Sequence, residues 1–210
     1  MPVLTERDLD ILETLTRRVR LLAIEQVQRV WWPAHANRRI VRRRMRQLAA
    51  AGFVSRTIVN AHPLLPVEQP LGVWRPSDKE PDARRISRQA RDRWRQSAEP
   101  IEVFTATHRT ANLFGSSAGR LPTMLHRDHD LLLAQVFAFY RIHRPAEGRR
   151  WLGEDALPKA GYRIKDPDAF LIDSAGRPSH VIESTGHYAT AQIVSFHAYC
   201  VEYDLAYELW

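Results

Sequence analysis

Five arginines, Arg38, Arg39, Arg42, Arg43 and Arg46, recur through one short stretch at the spacing that gathers side chains onto one face of a helix. A guanidinium presents five N–H donors in a planar fork that grips phosphates and guanine edges, so such a face has the chemistry of a polyanion reader. Arg44 flanks the apolar stripe of the same segment, and no acid occurs between Arg38 and Arg56. Like charges one turn apart repel, which costs an isolated helix stability that a facing polyanion restores. A merely solvated face normally mixes signs. Each arginine suits either a guanine or a phosphate, so the bases read stay open. A second grouping, His126, Asp128, His129 and Asp130, precedes an apolar run. Histidines at i, i+3 can share a metal, but caps and acidic first turns are the commoner use of that position. Two more acids, Asp168 and Glu183, fall on neighbouring candidate strands. The single cysteine, Cys200, excludes an internal disulfide and a cysteine-based zinc cluster.

The arginine helix needs a frame, and the preceding residues supply one. Thr5 and Asp8 read as a helix start, followed by an apolar stripe of Leu9, Ile11, Leu12 and Leu15. A second helix fits Ala23 to Trp31, burying Leu22, Ile24, Val27 and Val30 or Trp31. Pro33 breaks the chain, and Asn37 caps a third helix that runs to about Ala51, with Gly52 as its C′ residue and Ile40, Val41, Met45, Leu48 and Ala49 inward. Phe53 to Val59 and then Leu71 to Arg75 read as two strands. Three helices and a hairpin is the order of a winged helix-turn-helix over residues 1–78. The third helix would read the major groove, with Arg56 and Arg75 on the wing against phosphates.

Residues 79–120 read as a connector: a short helix with Ile86, Ala90 and Trp94 on one stripe, then a small polar loop from Thr105 to Gly119. A largely buried helix is expected from Arg127 to Ile142, carrying Leu131, Leu132, Ala134, Gln135, Phe139 and Ile142. Beyond it come Tyr162-Arg163-Ile164, the strand Ala169–Ile172, a turn at Asp173–Arg177 and the strand Ser179–Glu183. A helix from Tyr188 to Glu202 and a closing strand from Leu205 to Trp210 complete an α/β domain over 121–210.

Composition agrees with two unlike halves. Residues 1–98 hold 20 of the 31 Lys and Arg against 10 acids, whereas residues 99–210 hold 11 against 14. Codon usage in a GC-rich genome accounts for 28 Arg against 3 Lys, but not for the charge gathering in one half. A hydrophobic share of 44% excludes wholesale disorder. The longest apolar run, Leu131 to Tyr140, is about half of a membrane span. Met1 to Arg7 has no apolar signal-peptide core. The expectation is a soluble, cytoplasmic protein with double-stranded DNA as partner and no membrane association.

Pro167-Asp168 followed by Glu183-Ser184-Thr185 is similar to the Pro-Asp … Asp/Glu-x-Lys pattern of restriction-endonuclease-like domains. That resemblance implies Asp168 and Glu183 as ligands of a Mg²⁺ or Mn²⁺ ion that activates water, with Glu154 as an upstream acid. Thr185 stands where the lysine belongs and supplies neither cation nor base, leaving Lys165 as the nearest substitute. The plainer alternatives are a Pro-Asp turn, and a Glu183 that pairs with Arg163 or Arg177. The expected fold is therefore α+β: a winged helix-turn-helix, then a small nuclease-like α/β domain without catalysis and without a cofactor.

The chain as a whole resembles the replication-relaxation proteins of plasmids and other mobile elements. The carrying segments are Leu4-Thr5-Glu6-Arg7-Asp8-Leu9-Asp10-Ile11-Leu12, Leu48-Ala49-Ala50-Ala51-Gly52-Phe53-Val54, His129-Asp130-Leu131, Pro167-Asp168-Ala169 and Glu183-Ser184-Thr185-Gly186-His187. Members usually carry an acid where this chain has Thr185. The resemblance implies DNA binding in replication, transfer or transcription control. Two other readings are a metal-dependent endonuclease using Asp168, Glu183, Glu154 and Lys165, and a C-terminal module that docks a replication, transfer or defence protein. A homodimer is a further alternative, though no heptad or self-complementary patch marks one.

Overall fold

The computed structural model describes residues 3–34, 37–116, 121, 123, 126–156 and 167–210. Helix α1 (Glu6–Arg17) opens on a capping box, in which the Thr5 hydroxyl accepts the Asp8 N–H and the Asp8 carboxylate accepts the Thr5 N–H. Ile11, Leu12 and Leu15 are buried, but Leu9, expected inward, is 45% exposed. It lies about 100° round the helix from Asp8, outside the stripe. Strand β1 (Leu22–Ala23) leads into α2 (Ile24–Trp31) and then α3 (Arg38–Ala50). Asn37 Oδ1 accepts the Arg39 N–H at 2.9 Å, and Gly52 ends α3 in the left-handed region at φ +76°. Val41, Met45 and Leu48 are fully buried, whereas Ile40 is 37% exposed for the same angular reason as Leu9.

The remaining elements are β2 (Val54–Ala61), β3 (Gly72–Trp74), α4 (Ala83–Asp92), β4 (Glu99–Ala106), α5 (His108–Leu113), α6 (Arg127–His143) and α7 (Pro145–Gly148). They are followed by β5 (Trp151–Gly153), a 3-10 turn at Glu154–Ala156, β6 (Ala169–Ile172), β7 (Pro178–Glu183), α8 (Thr190–Glu202) and β8 (Ala206–Leu209). The described residues thus form a mixed α and β fold with two sheets, in the orders β1-β4-β2 and β3-β8-β7-β6-β5. All neighbours are antiparallel except β7 and β8, the pair connected by α8.

Two expected pairings change. Leu71–Arg75 does not form a hairpin with the strand after α3: β3 joins the edge of the second sheet, with Gly72 opposite Leu209 and Trp74 opposite Tyr207. The partner of β2 is β4, from the segment expected to be a connector, in register from Val54↔Ala106 to Ala61↔Glu99. The expected loop from Thr105 instead contains the end of β4 and α5, capped by Thr107. Its last residues, 117–120, and the expected strand Tyr162–Ile164 lie outside the described residues. Ile142, near the end of α6, is 41% exposed rather than buried.

Packing follows the alternation of the second sheet. Ala169, Leu171 and Ile182 turn to one face and enter a large core with Leu12, Leu15, Val41, Met45 and Leu48 of α1 and α3 and Val136, Phe137 and Tyr140 of α6. Phe170, Val181 and Tyr207 turn to the other face, beneath Ile86 of α4 and Phe196 of α8. The sheet is thus covered on both faces, which explains its apolar strands. Among the described residues no helix is long and apolar enough to cross a membrane.

Candidate functional site

The arginines of α3 divide by what they touch. Arg39, Arg43 and Arg46 are exposed and make no side-chain hydrogen bond or ion pair among the described residues. They form one stripe at i, i+4, i+7. Arg38 Nη1 bonds Glu25 Oε1 of α2 at 2.7 Å. Arg42 and Arg56 both reach Glu102 on β4, at 2.9 and 2.6 Å. Burial alone would raise the Glu102 carboxyl, but Arg56 and Arg42 hold it below the usual range. Arg44 pairs with Asp8 and ties α3 back to the start of α1.

Arg38, Arg42, Arg46 and Arg56 line a groove of about 620 Å³ between α3 and the first sheet, with Ile58, Pro63, Leu64 and Glu102. Arg75, expected on the wing, does not line this groove. It follows β3 at the edge of the second sheet, where burial lowers the His180 imidazole and Arg75 adds to that lowering.

The second candidate centre lies at the junction of β6 and β7. The register Ala169↔Ile182 sets Asp168 opposite Glu183, and the Asp168 N–H donates to Glu183 Oε2 at 3.2 Å. Asp168 Oδ2 accepts from the Ser184 N–H at 2.7 Å and from His129 Nε2 at 3.0 Å. His129 Nδ1 faces Asp130 Oδ1 at 3.2 Å. Burial alone would lower the imidazole, but the Asp168 and Asp130 carboxylates raise it to about 11, so it is an imidazolium at neutral pH. Tyr188 OH donates to Glu183 Oε1 at 2.5 Å.

Glu154 lies close by, its N–H donating to the Asp168 carbonyl, but its carboxylate is bonded at 2.7 Å by Arg20. Burial pushes the Glu154 carboxyl above its ordinary value, with Arg20 opposing. Arg20 also forks onto Asp155 at 2.6 and 3.0 Å, and its own pKa is raised by that bond. A cavity of about 20 Å³ separates these groups, lined by Arg20, Asp130, Glu154 and Asp168.

This arrangement does not fit a Mg²⁺ or Mn²⁺ ion, which needs converging, free oxygen ligands. The oxygens of Asp168, Glu183 and Glu154 instead take N–H and O–H donors, two of them cations from the chain. No group of three or more His, Cys, Asp or Glu able to hold a metal occurs among the described residues. Thr185 is fully buried, its hydroxyl donating to the Trp210 carbonyl at 2.6 Å, which removes it from any proton transfer. Lys165 and Arg163 lie outside the described residues, and Arg177 pairs with Asp173 rather than Glu183.

Of the histidines at i, i+3, His126 stands at the N-cap of α6 without a side-chain cap bond, and Asp128 and Asp130 form the acidic first turn. His129 turns to Asp168, and Asp128 instead binds the His62 backbone N–H and ring at 2.7 and 2.8 Å. No periodicity in the sequence marks Arg20, Glu25 or Glu102, because their partners come from other elements. No protein-family model, curated protein or solved structure matches this chain.

Proposed function

We propose that this chain is a double-stranded DNA-binding protein of the winged helix-turn-helix type whose second, nuclease-like sheet does not cleave. The reading is carried by the stripe of Arg39, Arg43 and Arg46, three cations on the outer face of α3 with no ion-pair partner among the described residues. Three such charges without an internal anion are costly unless a polyanion faces them. The elements α1, β1, α2, α3 and β2, joined by β4 after the intervening β3 and α4 into the sheet β1-β4-β2, support α3 as the helix entering the major groove. The succession α6-α7-β5-β6-β7-α8-β8 supports a nuclease-like core for the remainder. The resemblance of the motifs to replication-relaxation proteins supports the process: replication, transfer or transcription control on a plasmid or mobile element.

Cleavage has one observation behind it, the placement of Asp168 beside Glu183. Against it stand the imidazolium of His129, the Arg20 fork on Glu154 and the buried Thr185, so the endonuclease alternative is not adopted.

The test is a salt titration of duplex binding by fluorescence anisotropy, comparing the full chain with its Arg39→Ala/Arg43→Ala/Arg46→Ala variant. Each phosphate that the protein no longer neutralises lowers the log–log salt slope by about 0.9. Three should therefore flatten it by about 2.7 and weaken binding to all sequences. An identical slope in the two proteins would remove α3 from the interface.

A further inference from the structure

Glu102 presents an unusual arrangement: one carboxylate, 10% exposed, placed in the groove that the arginines line. It sits in the middle of β4 opposite Ile58 of β2. Its Oε2 accepts from Arg42 Nε of α3, and its Oε1 accepts from Arg56 Nε of β2. Each arginine is therefore held at Nε alone. The Nη groups of both make no hydrogen bond among the described residues, and both side chains remain about two-fifths exposed.

We propose that Arg42 and Arg56, tied to each other by Glu102, form a clamp for one backbone phosphate of duplex DNA, with Glu102 as its positioning residue. This rests on the DNA-binding reading and extends it, because the clamp would join the groove-reading helix to the sheet through a single phosphate. A phosphodiester shares one negative charge over two non-bridging oxygens, and N–H donors from two guanidinium groups suit them. Arginine side chains lose much rotamer freedom when they bind. Here Glu102 has already removed that freedom, so the clamp is ordered before DNA arrives. Arg46 and Arg38, the latter tied to Glu25, line the same groove, together with Glu99.

Glu102 could oppose binding instead, as an internal anion competing with the phosphate for the two arginines. The two roles predict opposite signs. Pure charge reasoning makes Glu102→Ala bind DNA more tightly, since a negative charge leaves the interface. A positioning role makes the same variant bind more weakly.

The experiment measures duplex affinity by anisotropy at several salt concentrations. It compares the full chain with Glu102→Ala, Glu102→Gln, Arg42→Ala/Arg56→Ala, and the triple variant combining Glu102→Ala with both arginine changes. Glu102→Ala is expected to weaken binding about five- to tenfold, the net scale of one hydrogen bond. Glu102→Gln keeps one acceptor oxygen and should lose less. Without the two arginines, removing Glu102 should tighten binding, a reversal of sign that a merely structural role would not produce. Thermal melts check the fold, and if Glu102→Ala melts below the assay temperature, Glu102→Gln carries the comparison. Tighter binding by the folded Glu102 variants, or an Arg42→Ala/Arg56→Ala protein equal to the unsubstituted chain, overturns the clamp and leaves the DNA reading standing. Absence of salt-dependent duplex binding by the unsubstituted chain overturns both.

Discussion

His129 stands between two carboxylates, Asp130 and Asp168, and that placement sets its charge. Burial opposes the proton, yet the two acids raise the imidazole from 6.5 to about 11. Because the folded value lies above the unfolded one, the contribution to stability is complete below about pH 6.5. It declines as the pH rises beyond that and is lost once the pH passes about 11. The expected outcome is that the ring C2–H resonance of His129 in the folded protein shows no titration step between about pH 5 and 8, the range in which an unperturbed histidine titrates. A midpoint near the ordinary value would place His129 outside the charge pair. The same residue brings positive charge from the chain to the acidic centre, where His129 bonds Asp168 and Arg20 bonds Glu154.

At the scale of elements, α3 is fixed at both ends by local chemistry, and those ends were legible in the sequence. Asn37 caps its start and Gly52 its end. A Cβ at Gly52 would meet nothing closer than Arg109 Nη1 at 3.9 Å, so space does not demand glycine there. The φ of +76° does. Gly52→Ala should therefore cost about 1 kcal/mol of stability in a urea titration, through backbone strain alone. A neutral result would mean that the α3–β2 turn relaxes into another conformation. Strand pairing was less legible. Leu71–Arg75 follows β2 closely in the chain and so suggested a hairpin, whereas β2 in fact pairs with a strand about 45 residues downstream of it. Proximity in sequence carries no information about which sheet edge is open. The ion pairs fail for the same reason: Arg20 meets Asp155 across 135 residues, and Arg56 meets Glu102 across 46. The arginine stripe of α3 was readable because it lies within one helix, but the acids that divide it into free and tied members were not.

For the whole molecule, the charge asymmetry suggested two separable halves, but the packing joins them. Leu12, Val41 and Met45 from the first helices share a buried cluster with Phe137, Trp151, Leu171 and Trp210. Arg141 of α6 forks onto Asp10 of α1 at 3.0 and 2.6 Å, and Trp151 Nε1 donates to the Arg18 carbonyl at 3.0 Å. At Gly153 a Cβ would lie 2.5 Å from that same carbonyl oxygen, so the end of α1 rests directly on β5. A boundary drawn between the basic and the near-neutral half would expose this apolar surface on both sides, at about 25 cal/mol for each Å² uncovered. The halves should therefore not melt independently. Calorimetry of the full chain is expected to give one transition whose van't Hoff and calorimetric enthalpies agree. Gly153→Ala, which forces a side chain against backbone, should shift that single peak downward by destabilising the fold about 1–3 kcal/mol. Two resolved peaks, or a Gly153→Ala protein in which only part of the heat moves, would mean that the DNA-reading helices and the second sheet fold as separate units.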